Sequence, residues 1–157
     1  NVMNEIFRKI YVYGDFDALE IRVERGGAGE YERSEYEIYA RRSLDGSWVP
    51  ALRRMSDGQK SIVALCLLTA LFRTAPHRIS FLILDEPIPN IDQECREAMI
   101  KAFSELKEIR QIIVATQDQR YSKLVRDAAK IWGEGYKGVV YKFTHGDNGP
   151  VINIEQP

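Results

Sequence analysis

Two acidic residues, Asp85 and Glu86, stand directly after four apolar residues, 81–84, in a pattern typical of a buried strand. In open α/β sheets, ligands bind in the crevice beyond the carboxyl ends of the strands, so both carboxylates are expected at a binding site. There Asp85 could hold Mg²⁺ through water, and Glu86 could orient or deprotonate an attacking water. The alternative is a surface turn before Pro87 in which both acids are solvated.

A second candidate feature is the sequence Ser56-Asp57-Gly58-Gln59, which opens a long apolar run. Ser-x-x-Gln at this point predicts a capping box, in which the Ser56 hydroxyl accepts a hydrogen bond from the backbone N–H of Gln59. A helix N-terminus also attracts anions, because free N–H groups and the positive end of the helix dipole meet there. The box alone fits a well-capped helix as well as an anion site, so its functional meaning depends on the carboxylates above.

The sequence lacks the phosphate-binding loop G-x-x-x-x-G-K-[ST]. The glycine-rich stretch Gly26-Gly27-Ala28-Gly29 does not replace it, because no Lys-Ser or Lys-Thr follows and strand-like residues resume instead of a helix. We interpret these glycines as a hairpin turn. A chain with hydrolytic carboxylates and without this loop cannot be a complete ATPase, so we expect the missing half to come from elsewhere.

The composition sets broad limits on the class of protein. The chain has 157 residues, 45% of them hydrophobic, which is enough for one ordinary core. A net charge of −1 provides no overall basic field, so any contact with nucleic acid must come from a local patch. Cys66 and Cys95 lack metal-ligand spacing and predict a reduced, intracellular setting. No apolar run approaches the roughly 18 residues that a membrane span requires.

The apolar pattern divides the chain into three predicted parts. Residues 1–12 are expected to be the end of a longer helix, and residues 13–50 alternate like antiparallel β structure, with a turn at Asp45-Gly46. Residues 51–157 alternate between helix and strand, which predicts a mainly parallel sheet flanked by helices, with its apolar strands covered on both faces. The predicted elements are strands at 18–24 and 36–40, a helix at 57–74, a strand at 79–84, a helix at 93–107, a strand at 111–116, a helix at 120–129, and strands at 138–143 and 150–155.

The order of these motifs resembles the carboxyl-terminal half of an ABC-type ATPase head. Within that superfamily the chain is most similar to the structural-maintenance-of-chromosomes (SMC) branch, which includes the double-strand-break repair ATPases. The motifs are Ser-x-Gly-Gln-Lys, an apolar helix, an apolar strand followed by Asp-Glu-Pro, and then Pro-Asn-Ile-Asp. The resemblance identifies residues 55–60 as the signature motif, residues 81–86 as the Walker B strand and residues 89–92 as the D-loop. It implies an α/β fold, the carboxyl-terminal lobe of a P-loop ATPase head with an added antiparallel β segment.

The resemblance also implies a mechanism. In this family two heads enclose two ATP molecules, each bound to the phosphate loop and Walker B strand of one head and to the signature of the other. Residues 56–59 would therefore contact ATP held by the partner head, chiefly through Ser56 and Gly58 at the γ-phosphate. Asp85 would hold Mg²⁺ and Glu86 would serve as catalytic residue for the ATP of their own head, and Asp92 would help to align the two sites.

Several partners follow from the same resemblance. They are the phosphate-loop half of the same head, a second head, DNA, and a nuclease or accessory subunit. A coiled coil would join the phosphate-loop half to this half and would return to the head near residues 1–10. ATP and Mg²⁺ are the implied cofactors, no membrane contact is implied, and the expected location is the cytoplasm, on the chromosome. The process served would be DNA organisation or DNA repair.

Two residues depart from the family pattern. The family usually has glycine at the position of Asp57, where a carboxylate near the γ-phosphate could repel it; an acid in the first helical turn is also favoured by the dipole, so we expect a side chain turned away. The family often has histidine at the position of Gln117, which would contact the γ-phosphate; glutamine can donate a hydrogen bond but carries no charge. Asp118 is interpreted as the cap of the next helix.

Three functions remain open on the sequence. The first is a working ATPase half-head, and the second is a hydrolysis-impaired, ATP-responsive module for dimerisation or DNA binding. The third, the nucleotide-binding subunit of an ABC transporter, is disfavoured because such subunits usually carry the phosphate loop in the same chain. Scattered basic residues could touch DNA, while His77, His145, Trp48 and Trp132 are interpreted as surface or packing residues. The basic candidates are Arg41, Arg42, Arg53, Arg54, Lys60 and Arg73.

Overall fold

The first helix, α1 (Val2–Ile10), forms because its apolar residues recur at intervals of three and four and so line one face. Met3, Ile6, Phe7 and Ile10 on this face are buried, and Phe7 and Ile10 have no exposed surface. The helix expected in this part of the chain is confirmed. The computed structural model describes residues 2–26, 33–76, 79–87, 92–104, 109–118, 120, 135, 137–147 and 149–155.

Three antiparallel strands follow: β1 (Phe16–Gly26), β2 (Arg33–Arg42) and β3 (Trp48–Pro50). Leu19 of β1 lies opposite Ala40 of β2, and both are buried against α1, which fixes which face of the sheet turns inward. The predicted strands and the predicted turn at Asp45-Gly46 are confirmed, with Gly46 at φ 69°. The glycine-rich hairpin turn predicted at residues 26–29 lies, beyond Gly26, outside the described residues.

Two long helices pack against α1. The short helix α2 (Ala51–Arg54) leads to α3 (Asp57–Thr74), whose bounds are those predicted from the sequence. The helix α4 (Gln93–Ser104) agrees with the prediction over its described part, and residues 105–108 lie outside the described residues. The core contributions of α3 and α4 are Ile62, Val63, Leu65, Cys66, Cys95, Met99, Ala102 and Phe103.

The strands β4 (Phe81–Asp85) and β5 (Gln111–Ala115) pair in parallel. Leu82 and Leu84 are buried in the same core as the helices, whereas Phe81 and Ile83 are 48% and 61% exposed. The expectation that these strands are covered on both faces is wrong for the described structure. The core formed by α1, α3 and α4 covers one face, and the apolar side chains of the opposite face remain about half exposed.

The last two predicted strands are confirmed with slightly shifted bounds, as a hairpin of β6 (Val140–Gly146) and β7 (Gly149–Glu155). Its strands are antiparallel, as are β1–β2 and β2–β3, so a mainly parallel sheet is not confirmed by the described strand pairs. The helix predicted at 120–129 lies outside the described residues except for Arg120, and His77 and Trp132 lie outside them as well.

Both cysteines are free and buried, and burial raises the pKa of the Cys66 thiol to about 12. The Cys95 thiol donates to the carbonyl oxygen of Ile10 at 3.7 Å, which ties the start of α4 to the end of α1. Among the described helices, none is long and apolar enough to cross a membrane.

Removing the ring of Phe7 should destabilise the fold strongly, because this side chain is fully buried and stacks on Tyr11 with ring centroids 4.5 Å apart. Phe7→Ala is expected to lower the free energy of unfolding by about 3–5 kcal/mol, measured by urea denaturation. Val12→Ala, at a side chain 47% exposed, serves as the control and should change it by less than about 1 kcal/mol. Equal losses in the two variants would contradict the central position of α1.

Candidate functional site

The carboxylates of Asp85 and Glu86 lie at the carboxyl edge of the parallel pair. Asp85 is the last residue of β4 and lies opposite Ala115, the last residue of β5, so the two strands end together. The backbone N–H of Glu86 donates to the carbonyl oxygen of Ala115 at 2.9 Å, which carries the pairing one residue beyond the strands. This edge is where an α/β sheet binds ligands, as the sequence predicts for these two acids.

The Glu86 carboxylate is held by the residues that follow β5. One oxygen accepts from the backbone N–H of Gln117 at 2.6 Å, and the other accepts from the Thr116 hydroxyl at 3.0 Å. The backbone of Glu86 is left-handed, with φ 40°. A non-glycine residue in this region costs about 1–3 kcal/mol and persists where the surroundings impose it, often at functional sites. The two hydrogen bonds and the pairing to Ala115 provide those surroundings.

Asp85 has the exposure that a metal ligand needs at a strand end. Within the described residues, no group of three or more His, Cys, Asp or Glu side chains could hold a metal ion by itself. One or two carboxylates at this edge still suit Mg²⁺, because Mg²⁺ is usually bound through one or two carboxylates, several waters and the phosphates of a substrate. The edge is therefore suited to a cation that arrives with a nucleotide.

Asp118, on the same side of β5, is surrounded by arginines. Its carboxylate pairs with Arg120 at 2.8 Å and with the buried Arg96 at 3.3 Å, and it accepts from the backbone N–H of Arg120 at 3.0 Å. The hydrogen bonds from Arg120 lower the pKa of Asp118 to about 2. The predicted helix that Asp118 would cap lies outside the described residues except for Arg120, so this cap stays a prediction. Asp118 thus joins α4 to the residues after β5.

The second group of candidate residues lies at the start of α3. Ser56 is the N-cap, and both arms of the predicted capping box are present. The backbone N–H of Gln59 donates to the Ser56 hydroxyl at 3.3 Å, and the backbone N–H of Ser56 donates to the Gln59 side-chain oxygen at 2.9 Å. The N–H groups of Asp57 and Gly58 have no carbonyl four residues back within the helix, so they can face an anion.

The side chain of Asp57 extends into solvent. Its carboxylate is 86% exposed and accepts a hydrogen bond from the ammonium group of Lys60 at 3.0 Å, one helical turn away. An exposed pair of this kind contributes little to stability but offsets the negative charge locally. The orientation agrees with a carboxylate turned away from the helix N-terminus.

The Gln59 side chain makes contacts that the sequence did not indicate. Its amide nitrogen donates to the Tyr11 hydroxyl at 2.7 Å and to the Asp15 carboxylate at 3.0 Å. The Tyr11 hydroxyl in turn donates to the other oxygen of Asp15. Burial, together with this hydrogen bond to Asp15, raises the pKa of Tyr11 above its usual range. The amide of Gln59 is thus fully engaged within the chain.

Asp92 has two structural partners. One oxygen accepts from the backbone N–H of Cys95 at 2.9 Å, which makes Asp92 the N-cap of α4, and the other accepts from the Tyr13 hydroxyl at 2.6 Å. The hydrogen bond from Tyr13 lowers the pKa of Asp92. The other predicted D-loop residues, 89–91, lie outside the described residues.

The structure therefore brings the predicted residues together in separate groups. Asp85, Glu86 and the backbone of Gln117 share one edge, the signature residues 56–59 cluster at the start of α3, and Asp92 caps α4. Sequence reasoning missed Tyr11, Tyr13, Asp15 and Thr116. Thr116 could have been found by the same rule as Asp85, because it follows a parallel strand. The others lie 44 to 79 positions from their partners, and no local pattern indicates such contacts.

The basic residues considered as DNA contacts mostly pair with acids. The Arg41 guanidinium binds Asp17 through two hydrogen bonds of 2.8 and 2.9 Å, and Arg73 lies 3.6 Å from Glu5. The remaining ion pairs of this set are Arg42–Asp45, Arg53–Glu37 and Lys60–Asp57. Trp48 packs beside two arginines, with ring-centroid distances of 5.4 Å to Arg22 and 5.9 Å to Arg41. His145 is exposed in β6.

Comparison with known proteins gives concordant results, although no family model matches the chain. Arcadin-4 of Pyrobaculum calidifontis is 34% identical over 125 residues, which is 80% of this chain and 15% of that protein. The Rad50 double-strand break repair ATPase of Methanopyrus kandleri is 36% identical over 95 residues, 57% of this chain and 10% of that protein. The RAD50 DNA repair protein of Drosophila melanogaster is 27% identical over 128 residues, 76% of this chain and 10% of that protein.

Solved SMC heads share the fold. An SMC ATPase studied for ATP-driven dimerisation and DNA-stimulated activation aligns with a TM-score of 0.66 and 19% identity, over 99% of this chain and 81% of that one. The Smc head of Pyrococcus furiosus, bound to the C-terminal domain of ScpA, aligns with a TM-score of 0.63 and 18% identity, over 99% of this chain and 34% of that one. The chain matches the carboxyl-terminal half of an SMC/Rad50-type ATPase head. This head half spans a small part, about a tenth to a seventh, of the curated relatives it matches.

Loss of the Ser56 hydroxyl should weaken the start of α3. Ser56→Ala is expected to lower the free energy of unfolding by about 1 kcal/mol in urea denaturation, because the Gln59 N–H loses its cap. Ser61→Ala is the matched control, since the Ser61 hydroxyl bonds back to the carbonyl of Asp57 within the same helix. That control should be neutral or slightly stabilising, because alanine has the higher helix propensity. A loss as large in Ser61→Ala would contradict the capping role.

Proposed function

We propose that this head half hydrolyses ATP when it is combined with the phosphate-loop half of its head and with a second head. The arrangement of Asp85 and Glu86 at the carboxyl edge of β4 and β5 is the observation that carries the proposal. The capped start of α3, with N–H groups that can face an anion, supports it independently. The sequence relatives named Rad50 ATPases and the SMC head fold support the choice of reaction.

We propose the following roles for the residues at the acidic edge. Asp85 would hold Mg²⁺ through water, and the cation would supply charge stabilisation at the phosphates. Glu86 would orient the attacking water and accept its proton. The hydrogen bonds from Thr116 and the Gln117 N–H fix the direction of the Glu86 carboxylate, so the base is oriented before any substrate arrives. Gln117 would in addition use its side-chain amide, in place of the histidine common in the family, to contact the γ-phosphate.

The signature residues would act on ATP bound to the other head. Ser56 and the N–H groups at the start of α3 would contact the γ-phosphate, and the Lys60 pairing keeps the Asp57 carboxylate directed to solvent. Gln59 would hold this helix end in place rather than bind ATP, because its amide is engaged by Ser56, Tyr11 and Asp15. Asp92 would align the two sites from its position at the start of α4.

The open face of β4 and β5 supports a divided head. Phe81, Ile83 and Ile113 are 48%, 61% and 44% exposed and lie on neighbouring strands. A large apolar patch rimmed by polar residues marks an interaction surface in many proteins. We propose that the phosphate-loop half covers this face and completes a mainly parallel sheet.

The cellular role remains DNA organisation or DNA repair within this proposal. DNA contact, an accessory subunit or nuclease, and a location in the cytoplasm on the chromosome come with it by analogy to the Rad50 and SMC relatives. The ion pairs at Arg41, Arg42 and Arg53 mean that DNA phosphates would have to compete with acidic partners there. An ATP-responsive module without hydrolysis is the second candidate, favoured by Asp57 and Gln117. The transporter alternative gains no support from the Rad50 relatives.

The test is steady-state ATP hydrolysis by the chain, alone and co-expressed with the phosphate-loop half. We expect turnover in the paired sample alone. In that sample Glu86→Gln should slow hydrolysis at least about a hundredfold, because a general base is lost, and should accumulate the ATP-bound dimer. Glu20→Gln, at an exposed glutamate of β1, is the control and should retain the rate. ATP binding without turnover would favour the dimerisation module, and unchanged turnover in Glu86→Gln would exclude its role as base.

The role of the signature can be tested separately. Ser56→Arg is expected to abolish ATP-dependent pairing of heads in light scattering, because a bulky side chain would block the N-terminus of α3. Arg54→Ser, at the last residue of α2 and two residues before the N-cap of α3, is the control for a change of side chain in this region. Normal ATP-dependent dimerisation of Ser56→Arg would remove the signature from the proposal and leave the acidic edge untouched.

A further inference from the structure

One five-residue segment, Tyr11–Asp15, connects α1 to β1 and touches the starts of both long helices. We call residues 11–15 the connecting segment. Its side chains contact Gln59 at the start of α3 and Asp92 at the start of α4. These helix starts carry the signature motif and the D-loop aspartate of the proposed function. The two helix starts are far apart in the sequence, so their contact with one and the same segment is a property of the fold.

On the α3 side the contact is a closed hydrogen-bonded triangle. The Gln59 amide donates to the Tyr11 hydroxyl and to one oxygen of Asp15, and the Tyr11 hydroxyl donates to the other oxygen. The remaining acceptor of Gln59 is bound to the Ser56 backbone. Both hydrogens and the oxygen of this amide are therefore committed, so Gln59 cannot move without breaking contacts to the segment or to the cap.

On the α4 side the contact is the hydrogen bond from the Tyr13 hydroxyl to Asp92, at 2.6 Å. Asp92 uses its other oxygen to cap α4 through the Cys95 N–H, so one carboxylate links the segment to the helix backbone. The Cys95 thiol reaches the carbonyl of Ile10, immediately before the segment, at 3.7 Å. The start of α4 is thus joined to the chain on either side of Tyr11.

The two contacts meet inside the segment. The rings of Tyr11 and Tyr13 pack edge to face with centroids 5.4 Å apart. Two further rings hold Tyr11 in place. Its ring stacks on Phe7 with centroids 4.5 Å apart and packs edge to face with Phe16 at a centroid distance of 6.3 Å. A continuous series of packed groups therefore runs from the Gln59 amide through two aromatic rings to the Asp92 carboxylate.

We propose that Tyr11, Tyr13 and Asp15 are positioning residues that couple the start of α3 to the start of α4. A shift of Gln59 displaces the Tyr11 hydroxyl, the Tyr13 ring that packs on it, and then the bond to Asp92. The inference rests on the proposed function for its purpose: the signature would contact ATP of the partner head, and Asp92 would align the two sites. Coupling would make both motifs respond to one nucleotide.

The test measures amide hydrogen exchange by NMR on the 157-residue chain without nucleotide. Two amides report on the two helix starts, Gln59 on the Ser56 cap and Cys95 on the Asp92 cap. Tyr11→Phe and Tyr13→Phe each remove one hydroxyl and keep the ring. Tyr36→Phe, at a tyrosine 75% exposed in β2, is the matched control.

Tyr11→Phe and Tyr13→Phe are each expected to accelerate exchange of both amides, whereas Tyr36→Phe should leave both rates unchanged. The nearer amide should change about fivefold, the factor that corresponds to the loss of one hydrogen bond worth about 1 kcal/mol, and the farther one at least about twofold. The double variant should show less than the product of the single effects, as coupled residues do. Amides of Ile21 and Ile38, paired across β1 and β2, should keep their rates and so exclude general destabilisation.

The proposal is overturned if each variant changes the exchange rate of the nearer amide only and the effects of the two substitutions multiply in the double variant. It is also overturned if all amides accelerate equally, because a purely structural role would then suffice. If Tyr11→Phe fails to fold, Asp15→Asn weakens the same triangle at an exposed residue, and the same two amides decide. The exchange experiment contains no nucleotide, so a failed ATPase assay would not affect its result. Conversely, if the Gln59 and Cys95 amides respond independently, the proposed hydrolysis is not affected.

Discussion

The burial of one face of α1 is the interaction on which the described structure depends. Met3, Ile6, Phe7 and Ile10 form the common surface against which β1, α3 and α4 pack, and each of these elements shares the same core. The burial of this face fixes how α1 lies against the sheet and the two long helices. The proposed signature motif lies at the start of α3 and the proposed D-loop aspartate at the start of α4, and both helices pack against α1. The proposed chemistry therefore depends on a helix that carries none of the proposed reacting groups.

Local patterns predicted a large part of the fold. The bounds of α3 followed from a capping residue and an apolar run, and the acidic edge followed from an apolar strand with carboxylates at its end. Both signals act within a few residues, where sequence spacing determines geometry. The prediction that β4 is covered on both faces is wrong for the described structure. An apolar composition shows that a strand can be buried on both faces, but it does not show which other element covers each face.

The contacts that fix the candidate residues were beyond local reasoning. Gln59 was recognised as half of a capping box, yet its bonds to Tyr11 and Asp15 depend on the path of the chain through α1 and β1. The same holds for Asp92, whose partner Tyr13 lies 79 positions away. Thr116 is an intermediate case, because the rule that located Asp85 applies equally to the end of β5. A long-range contact becomes predictable only when the topology that creates it is known.

The left-handed backbone of Glu86 has a consequence for how this protein could change over generations. A glycine at this position would relieve the backbone at once, so the fold alone would favour the residue that removes the carboxylate. If the chain contributes to ATP hydrolysis as proposed, selection for that activity would have to act continuously to keep a glutamate there. In a lineage that had turned to using nucleotide as a mere ligand, position 86 is where glycine or asparagine should first become common. The residue found at this one site across descendants would record whether the proposed catalysis had been kept or abandoned.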